Sequence, residues 1–346
     1  MYRIAIVLWA LLLLSVQSVA ASVSPSATIF VYHRFGDQRY PSTNVEITVF
    51  EAQLDYLKKN HFHVLTAGEI ARRLKADEAL PERCVALTVD DAYRSFLTGA
   101  MPLLRRYGYP VTLFVNTAAV GAGSYLTWDE LRELHAEGVE IGNHSSTHPY
   151  FVSKENMTLE QWHEWARADL VEAQQQCQQE LGDRPALLAY PYGEYSPELM
   201  DLAAALDFDA AFAQQSGPVG PTSARYALPR FPMGGAYATL NGFRSKLMMR
   251  PLPVEVLSPQ SPLIAQQNDP PELLFRLDCA DVAISTLKCY VQGQDQPAIE
   301  VVDKEKGVYR VRALGPLAGR RNKYTLTAQS RDSRYWYWFS QLWIHP

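Results

Sequence analysis

The sequence predicts an α/β architecture built on a parallel sheet, followed by a smaller all-β region. Three observations lead there. Between Ala27 and about Phe231, strand-like runs alternate with helical patterns, the pattern of a parallel sheet with covering helices. The helical stretches open on recognisable capping signals. After Arg250 the composition shifts: residues 250–271 hold six prolines, and only short β-like runs follow, as in a linker leading to a small β-sandwich.

The strand-like runs are Thr28–His33, Val85–Asp90, Val111–Asn116, Val139–Asn143, Ala186–Tyr190 and Ala210–Ala213. Phe50, Leu54 and Leu57 recur at i, i+4, i+7, one face of a helix. Thr66-Ala67-Gly68-Glu69 and Thr127-Trp128-Asp129-Glu130 read as capping boxes, and Gly138 stops the second helix. Thr158-Leu159-Glu160-Gln161 opens a long helix to about Leu181. Ser196-Pro197 reads as an N-cap with Pro at the first helical position. Six or seven such units can close into a barrel, and an open sheet satisfies the same periodicity. Either way, chemistry collects at the C-terminal ends of the strands.

The chain has 346 residues, 47% apolar and 20% charged. That is ordinary globular composition and long enough for two domains. A net charge of −5 argues against a nucleic-acid partner, which calls for a basic excess. Residues 4–14 form an unbroken apolar run after Arg3, and Ser18-Val19-Ala20 follows with small residues. This is the layout of a secretory signal peptide cut near Ala20 or Ala21, with no stable membrane anchor on the mature chain. The expected product is exported to the periplasm or cell envelope, or secreted. The expected division is 1–22 leader, 23–250 barrel, and 251–346 linker plus β-domain. In an oxidising compartment Cys279 and Cys289 could form a local bridge. Cys84 and Cys177 read as free structural thiols, with a bridge between them left open.

The chemistry gathers in two segments. The run Val85–Asp90 ends in Asp90-Asp91. Adjacent carboxylates on a strand point to opposite sides unless the chain turns there. At a strand end, one can ligate a metal while the other stays free as a base. The second segment, Asn143-His144-Ser145-Ser146-Thr147-His148-Pro149, follows the strand Val139–Asn143. Two histidines at i, i+4 converge on one ion if the segment turns like a helix. One Asp and two His would leave coordination positions for water and substrate.

Thr88-Val89-Asp90-Asp91-Ala92 resembles the T-F-D-D-G motif of the polysaccharide deacetylases, the NodB-homology group of carbohydrate esterase family 4. His144-Ser145-Ser146-Thr147-His148 is similar to that family's H-[ST]-x-x-H motif, and Ala189-Tyr190-Pro191-Tyr192-Gly193 resembles its third. The resemblance covers roughly residues 27–250 and implies a distorted (β/α)7-type barrel. It implies Asp91, His144 and His148 as ligands of one divalent metal, with Zn²⁺ first and Co²⁺, Ni²⁺ or Fe²⁺ as alternatives. It also implies Asp90 as the general base and the Tyr192 backbone N–H as oxyanion donor. His33, in Val31-Tyr32-His33, resembles the Tyr-His of exported poly-N-acetylglucosamine deacetylases, where this His is the general acid. The family's usual late Leu-x-His acid is absent between residues 200 and 250, which favours His33 over a packed first-strand histidine.

Two departures stand out. The motif-one Gly is Ala92 here, a mild change if its φ is negative. The Arg that pairs with the base in the third motif is replaced by Ala189. Arg230 is the candidate to supply it from a later strand, and Arg94 is another. Near the C-terminus, alternation turns Tyr335, Tyr337 and Phe339 one way and Trp336 and Trp338 the other, either a sugar-stacking platform or sandwich core and barrel packing. Trp128, Trp162 and Trp165 read as helix-face packing.

The expected function is metal-dependent N-deacetylation of an N-acetylhexosamine polysaccharide, of the poly-N-acetylglucosamine kind, with release of acetate. Two alternatives stand beside it. One is a catalytically weak envelope glycan-binding or assembly protein on the same fold. The other is an amidohydrolase acting on a small non-sugar amide.

Overall fold

A computed structural model describes residues 26–346 apart from 155 and 265–268; the leader expected over residues 1–22 lies outside the described residues. The barrel strands are β1 (Ala27–Tyr32), β4 (His63–Leu65), β5 (Cys84–Asp90), β6 (Thr112–Val115), β7 (Glu140–Asn143), β8 (Leu187–Ala189), β9 (Ala210–Phe212) and β10 (Phe231–Pro232). A two-stranded pair, β2 (Arg34–Phe35) and β3 (Asn44–Val45), lies between β1 and the first helix. All pairings within the main sheet are parallel, in the order β10-β1-β5-β6-β7-β8-β9, with β4 added against the first half of β5.

The six strands expected from sequence are all present, each bounded within one residue of its expected limits. β4 and β10 are too short to show an alternation. β10 nonetheless closes the structure. Phe231 pairs with Phe30 on β1, while Leu228, three residues earlier, bridges to Phe212 on β9. One stretch of chain therefore joins both edges of the sheet.

The helices are α1 (Ile47–Lys59), α2 (Ala67–Lys75), α3 (Met101–Tyr107), α4 (Trp128–Ala136), α5 (Leu159–Leu181), α6 (Pro197–Ala205) and α7 (Leu240–Leu247). Thr127 and Thr158 form complete capping boxes. Thr66 caps α2 through the Glu69 N–H alone, because the Glu69 carboxylate is taken by Arg72 and Arg73. Ser196 caps α6 ahead of Pro197.

Alternation along β5 sorts its side chains. Val85, Leu87 and Val89 pack outward with Phe50, Leu54 and Leu57 of α1. Ala86 joins the interior with Phe114 and Phe212, and Thr88 and Asp90 share its parity. The bottom of the barrel is tied by Glu140. Its carboxylate accepts from the Thr66 hydroxyl at 2.9 Å, the Gly68 N–H at 2.9 Å and the Thr112 hydroxyl at 2.6 Å. It lies where the α2 N-terminal dipole favours a negative charge. Glu140→Ala is expected to lower stability by about 2–3 kcal/mol, because it orphans these donors; urea denaturation measures it.

The C-terminal region is a sandwich of two four-stranded sheets. One contains β11 (Met249–Pro251), β18 (Trp336–Ile344), β17 (Arg321–Ser330) and β14 (Val282–Val291). The other contains β12 (Val254–Ser258), β13 (Glu272–Leu277), β16 (Val308–Arg312) and β15 (Ile299–Asp303). Alternation along β18 divides its aromatic residues. Tyr337 and Trp343 fill the sandwich core with Tyr324 and Leu326. Trp338 faces the barrel, where its ring meets Phe231 edge-on at 5.5 Å and its indole N–H donates to the Ser216 carbonyl at 2.8 Å. Leu342 and Ile344 join the barrel's own cluster with Leu188 and Tyr190. Trp338 is thus packing, not a sugar platform, while Trp336 is exposed. Among the helical tryptophans, Trp162 is fully buried and Trp165 packs on Phe151.

The cysteine expectation is corrected. All four thiols are free. Cys279 lies before β14 and donates toward the Leu277 carbonyl, whereas Cys289 lies deep in that strand, opposite Leu326. The chain between them extends at ~3.3 Å per residue, which carries the two sulfurs apart. Cys84 opens β5 and Cys177 sits on α5, each buried in its own surroundings.

Candidate active site

All but one of the site residues sit at the C-terminal mouth of the barrel; Arg230 starts lower, level with the middle of β1, and reaches Asp90 with its side chain. Asp90 is the last residue of β5, and Asp91 follows it. His33 follows β1, His144 follows β7, and Tyr192 lies just past β8. Arg230 immediately precedes β10.

Backbone geometry lets both adjacent carboxylates serve the site. Asp91 has φ 75° and Ala92 φ 58°, a left-handed turn that swings Asp91 away from the strand alternation. Ser145, His148 and Tyr192 are left-handed as well, at 65°, 56° and 58°. Each such residue costs roughly 1–3 kcal/mol and persists only where its surroundings hold it. The positive φ of Ala92 corrects the expectation of a mild Gly replacement. Its methyl group, 1% exposed within the core, offsets part of that strain by about 0.8 kcal/mol of burial.

The His144–His148 loop is held from below. Asn143 Oδ1 accepts from the Ser145 N–H at 2.7 Å, and Asn143 Nδ2 donates to the Leu170 carbonyl at 3.0 Å. Asp169, on α5, accepts from the Ser146 N–H at 2.8 Å and from the Thr147 hydroxyl at 2.6 Å. Sequence reasoning missed both braces. Nothing in the helical periodicity around Asp169 marks it, because its partners are two backbone N–H groups and a hydroxyl 22 and 23 residues away.

Asp91, His144 and His148 offer three ligand atoms within 4.8 Å of one another. Asp91 Oδ1 lies 3.5 Å from Nε2 of both histidines. Tetrahedral ligands at 2.0–2.1 Å from a zinc-like ion lie about 3.4 Å apart, so the donor set fits a divalent cation. His144 donates from Nδ1 to the Ala189 carbonyl at 2.8 Å, which leaves Nε2 as the lone-pair donor a metal needs. Burial, with His144 nearby, pushes His148 down to about 4 against the opposing pull of Asp91. Its ring is therefore neutral and able to ligate at neutral pH.

Asp90 is fully buried and belongs to a different interaction. Arg230, also 0% exposed, grips it with two hydrogen bonds of 2.7 and 2.8 Å. The same guanidinium reaches the Thr88 hydroxyl and the Ala213 carbonyl, both at 3.2 Å. Burial alone would raise the Asp90 carboxyl. Arg230 and His144 more than offset it and hold the group at about 2, so Asp90 is ionised at neutral pH. Arg94 pairs instead with Glu130 and the Tyr125 carbonyl, on the outside of the barrel.

His33 lines the same cleft as Asp91, His144, His148 and Tyr192. Burial lowers its pKa, partly countered by Asp91 and Asp90. The Tyr192 ring stacks on Tyr150 at 3.8 Å and meets His148 edge-on at 4.5 Å. Its carbonyl accepts from Arg321 of the β-domain. Arg320 makes a paired contact with Glu194 at 2.8 Å and donates to the Ser153 hydroxyl at 2.9 Å. The β-domain therefore forms one wall of the site, which no local motif announced. The cleft measures ≈ 970 Å³.

A buried carboxylate–guanidinium pair beside a three-ligand cation cradle, at the mouth of a parallel barrel, is the layout of a barrel hydrolase. Comparison with known proteins points the same way: residues 77–211 match the polysaccharide deacetylase family model. The chain is 25% identical over 202 residues to the putative polysaccharide deacetylase YxkH of Bacillus subtilis, a match covering 58% of this chain and 69% of that one. It is also 25% identical over 217 residues to the poly-beta-1,6-N-acetyl-D-glucosamine N-deacetylase of Escherichia coli K12, a match covering 52% of this chain and 32% of that protein. Among solved structures, the Streptococcus pyogenes deacetylase PplD in complex with acetate superposes with a TM-score of 0.58 at 20% identity, over 65% of this chain and 99% of that one. That likeness shows the fold.

Proposed function

We propose that the protein is a metal-dependent N-deacetylase of an exported N-acetylhexosamine polysaccharide of the poly-N-acetylglucosamine kind. The observation that carries this reading is the cradle of Asp91, His144 and His148 set directly beside an Asp90 that Arg230 holds ionised. The sugar assignment draws on the substrate named for the Escherichia coli relative. It also draws on a cleft lined by Tyr93, Tyr125, Tyr192 and Tyr237, rings suited to stacking on sugars. Export follows from the apolar N-terminal run; no described helix is long and apolar enough to cross a membrane.

Asp91, His144 and His148 would hold a divalent ion, Zn²⁺ first by their His/Asp donor set, which would supply polarisation of the amide carbonyl and a lowered water pKa. Asp90 accepts the proton of the attacking water. The Tyr192 N–H donates to the carbonyl oxygen as it gains charge. His33 delivers a proton to the sugar nitrogen as the C–N bond breaks, leaving acetate and a free amine. A ring with a lowered pKa is a strong donor once it carries the proton. His33 takes its proton from solvent before the C–N bond breaks, and Asp90 releases its own to solvent afterwards, so both groups return to their starting state.

The test combines metal analysis with acetate release from N-acetylglucosamine oligomers. One equivalent of divalent metal is expected, with turnover abolished by a chelator and restored by adding the ion back. His148→Ala should lose metal and turnover together. A metal-free protein that releases acetate unchanged would overturn the reading. The weak-binder alternative rested on the missing motif-three Arg and on the aromatic C-terminal region; against it stand the Arg230 contacts with Asp90 and the packing of Trp338 on the barrel.

A further inference from the structure

The β-domain's charged contribution to the cleft lining is cationic. Arg321 and Lys323, on β17, line the cleft together with Gln292, Asn322 and Leu342. Asp91, which belongs to the metal cradle, is the sole carboxylate among the lining residues. Glu194 is the acidic group that contacts this wall. It is gripped in a paired contact by Arg320 at 2.8 Å and lies 3.7 Å from Arg321, so a single carboxylate faces two guanidinium groups. Lys323 shares the outward parity of β17 with Thr325, opposite the Tyr324 that fills the sandwich core. The charges acting on Lys323 are those of Arg321 and Lys246, both cations, and burial with these neighbours pushes it down to about 8. A half-buried lysine among cations, with no carboxylate within salt-bridge reach among the described residues, is an unusual arrangement. Lys323 is therefore uncompensated, and Arg321 shares its one carboxylate, Glu194, with Arg320, which leaves a net positive wall on this side of the cleft.

We propose that Arg321 and Lys323 make this wall a charge filter that rejects glycan segments already carrying a free amine beside the N-acetyl group under attack. The inference rests on the deacetylase reading, because that reaction turns a neutral amide into an ammonium at neutral pH. A cleft of ≈ 970 Å³ lies at the top of the ~300–1,000 Å³ range of ligand pockets and has room for the neighbouring sugars. An ammonium on such a neighbour meets like charge on the wall and, when loaded, a divalent ion at the cradle. The reaction is therefore self-limiting. Each deacetylation protects the adjacent sugars, and the product carries spaced amines rather than blocks.

The experiment compares kcat/KM on a fully acetylated N-acetylglucosamine tetramer with that on tetramers bearing one glucosamine next to the target residue. Both use metal-loaded full-length protein at low salt and pH 7. The expected preference for the fully acetylated tetramer is roughly 3–10-fold, the scale of one or two like charges across a solvated cleft. It should shrink as salt screens the charges. Lys323→Gln and Lys323→Met should both reduce the ratio, and Lys323→Glu should reduce it further or reverse it. The Met variant keeps the apolar stem on the sheet, so a loss shared with Gln reports charge rather than packing. A ratio near one in the native protein, or one unchanged by all three substitutions, overturns the charge filter and leaves the deacetylase standing. No acetate from any oligomer overturns the deacetylase reading and the filter with it.

Discussion

Asp90→Asn is expected to reduce kcat for acetate release by about 10²–10⁴-fold, the usual contribution of a positioned general base, while bound metal stays near one equivalent. Metal is retained because the cradle is made by Asp91, His144 and His148 and does not include Asp90. KM should move little, since the lost interaction is made during proton transfer. Metal analysis on the purified variant, run beside the acetate assay, separates this outcome from simple loss of the ion. Asp90→Asn turnover at the native rate would remove Asp90 from the base role. The same substitution also leaves Arg230 facing an amide in place of a carboxylate, with no other anion in contact among the described residues, so a measurable drop in stability accompanies the loss of rate.

Arg230→Met is expected to destabilise the fold by about 3–5 kcal/mol, because removing one partner of a buried ion pair strands the other charge. Both side chains are 0% exposed, so water cannot take the guanidinium's place. The loss is more than local. Arg230 also ties Thr88 of β5 to the Ala213 carbonyl beyond β9, and thus spans the barrel near the seam where β10 closes it. Urea denaturation of Arg230→Met, Asp90→Asn and the double variant forms a cycle. The double variant should lose less than the sum of the singles by about 0.5–3 kcal/mol. Additive losses would mean that the pair is not the unit the geometry indicates. Arg230→Lys should fall between, since an ammonium keeps the charge but not the two-pronged grip.

Much of the site was readable because its parts are contiguous. Asp90-Asp91 and His144 through His148 are short motifs at the ends of apolar runs, and parallel topology sends all such ends to one mouth. Six of the eight strands of the main sheet were readable for the same local reason, each with its own apolar run. What was unreadable depends on distance. Arg230 was one of two candidates, and only the closing strand shows that it, rather than Arg94, reaches Asp90. Asp169 and Asn143 brace the histidine loop through backbone partners that no spacing rule marks. The Cys279–Cys289 bridge failed because spacing in sequence says nothing of direction, and β14 carries the two sulfurs apart.

The sequence by itself determined the α/β class, the β-rich C-terminal region, the metal-ligand candidates and the candidate base, because these rest on local periodicity and on residues a few positions apart. Only the tertiary structure decided which arginine contacts Asp90, that Ala92 sits in a left-handed turn, and that β17 brings Arg321 and Lys323 to the cleft. Those facts depend on how a barrel closes and how a second sheet docks against it. Such long-range packing places residues more than a hundred positions apart in contact, as Asp90 and Arg230 are, and leaves no periodic trace along the chain.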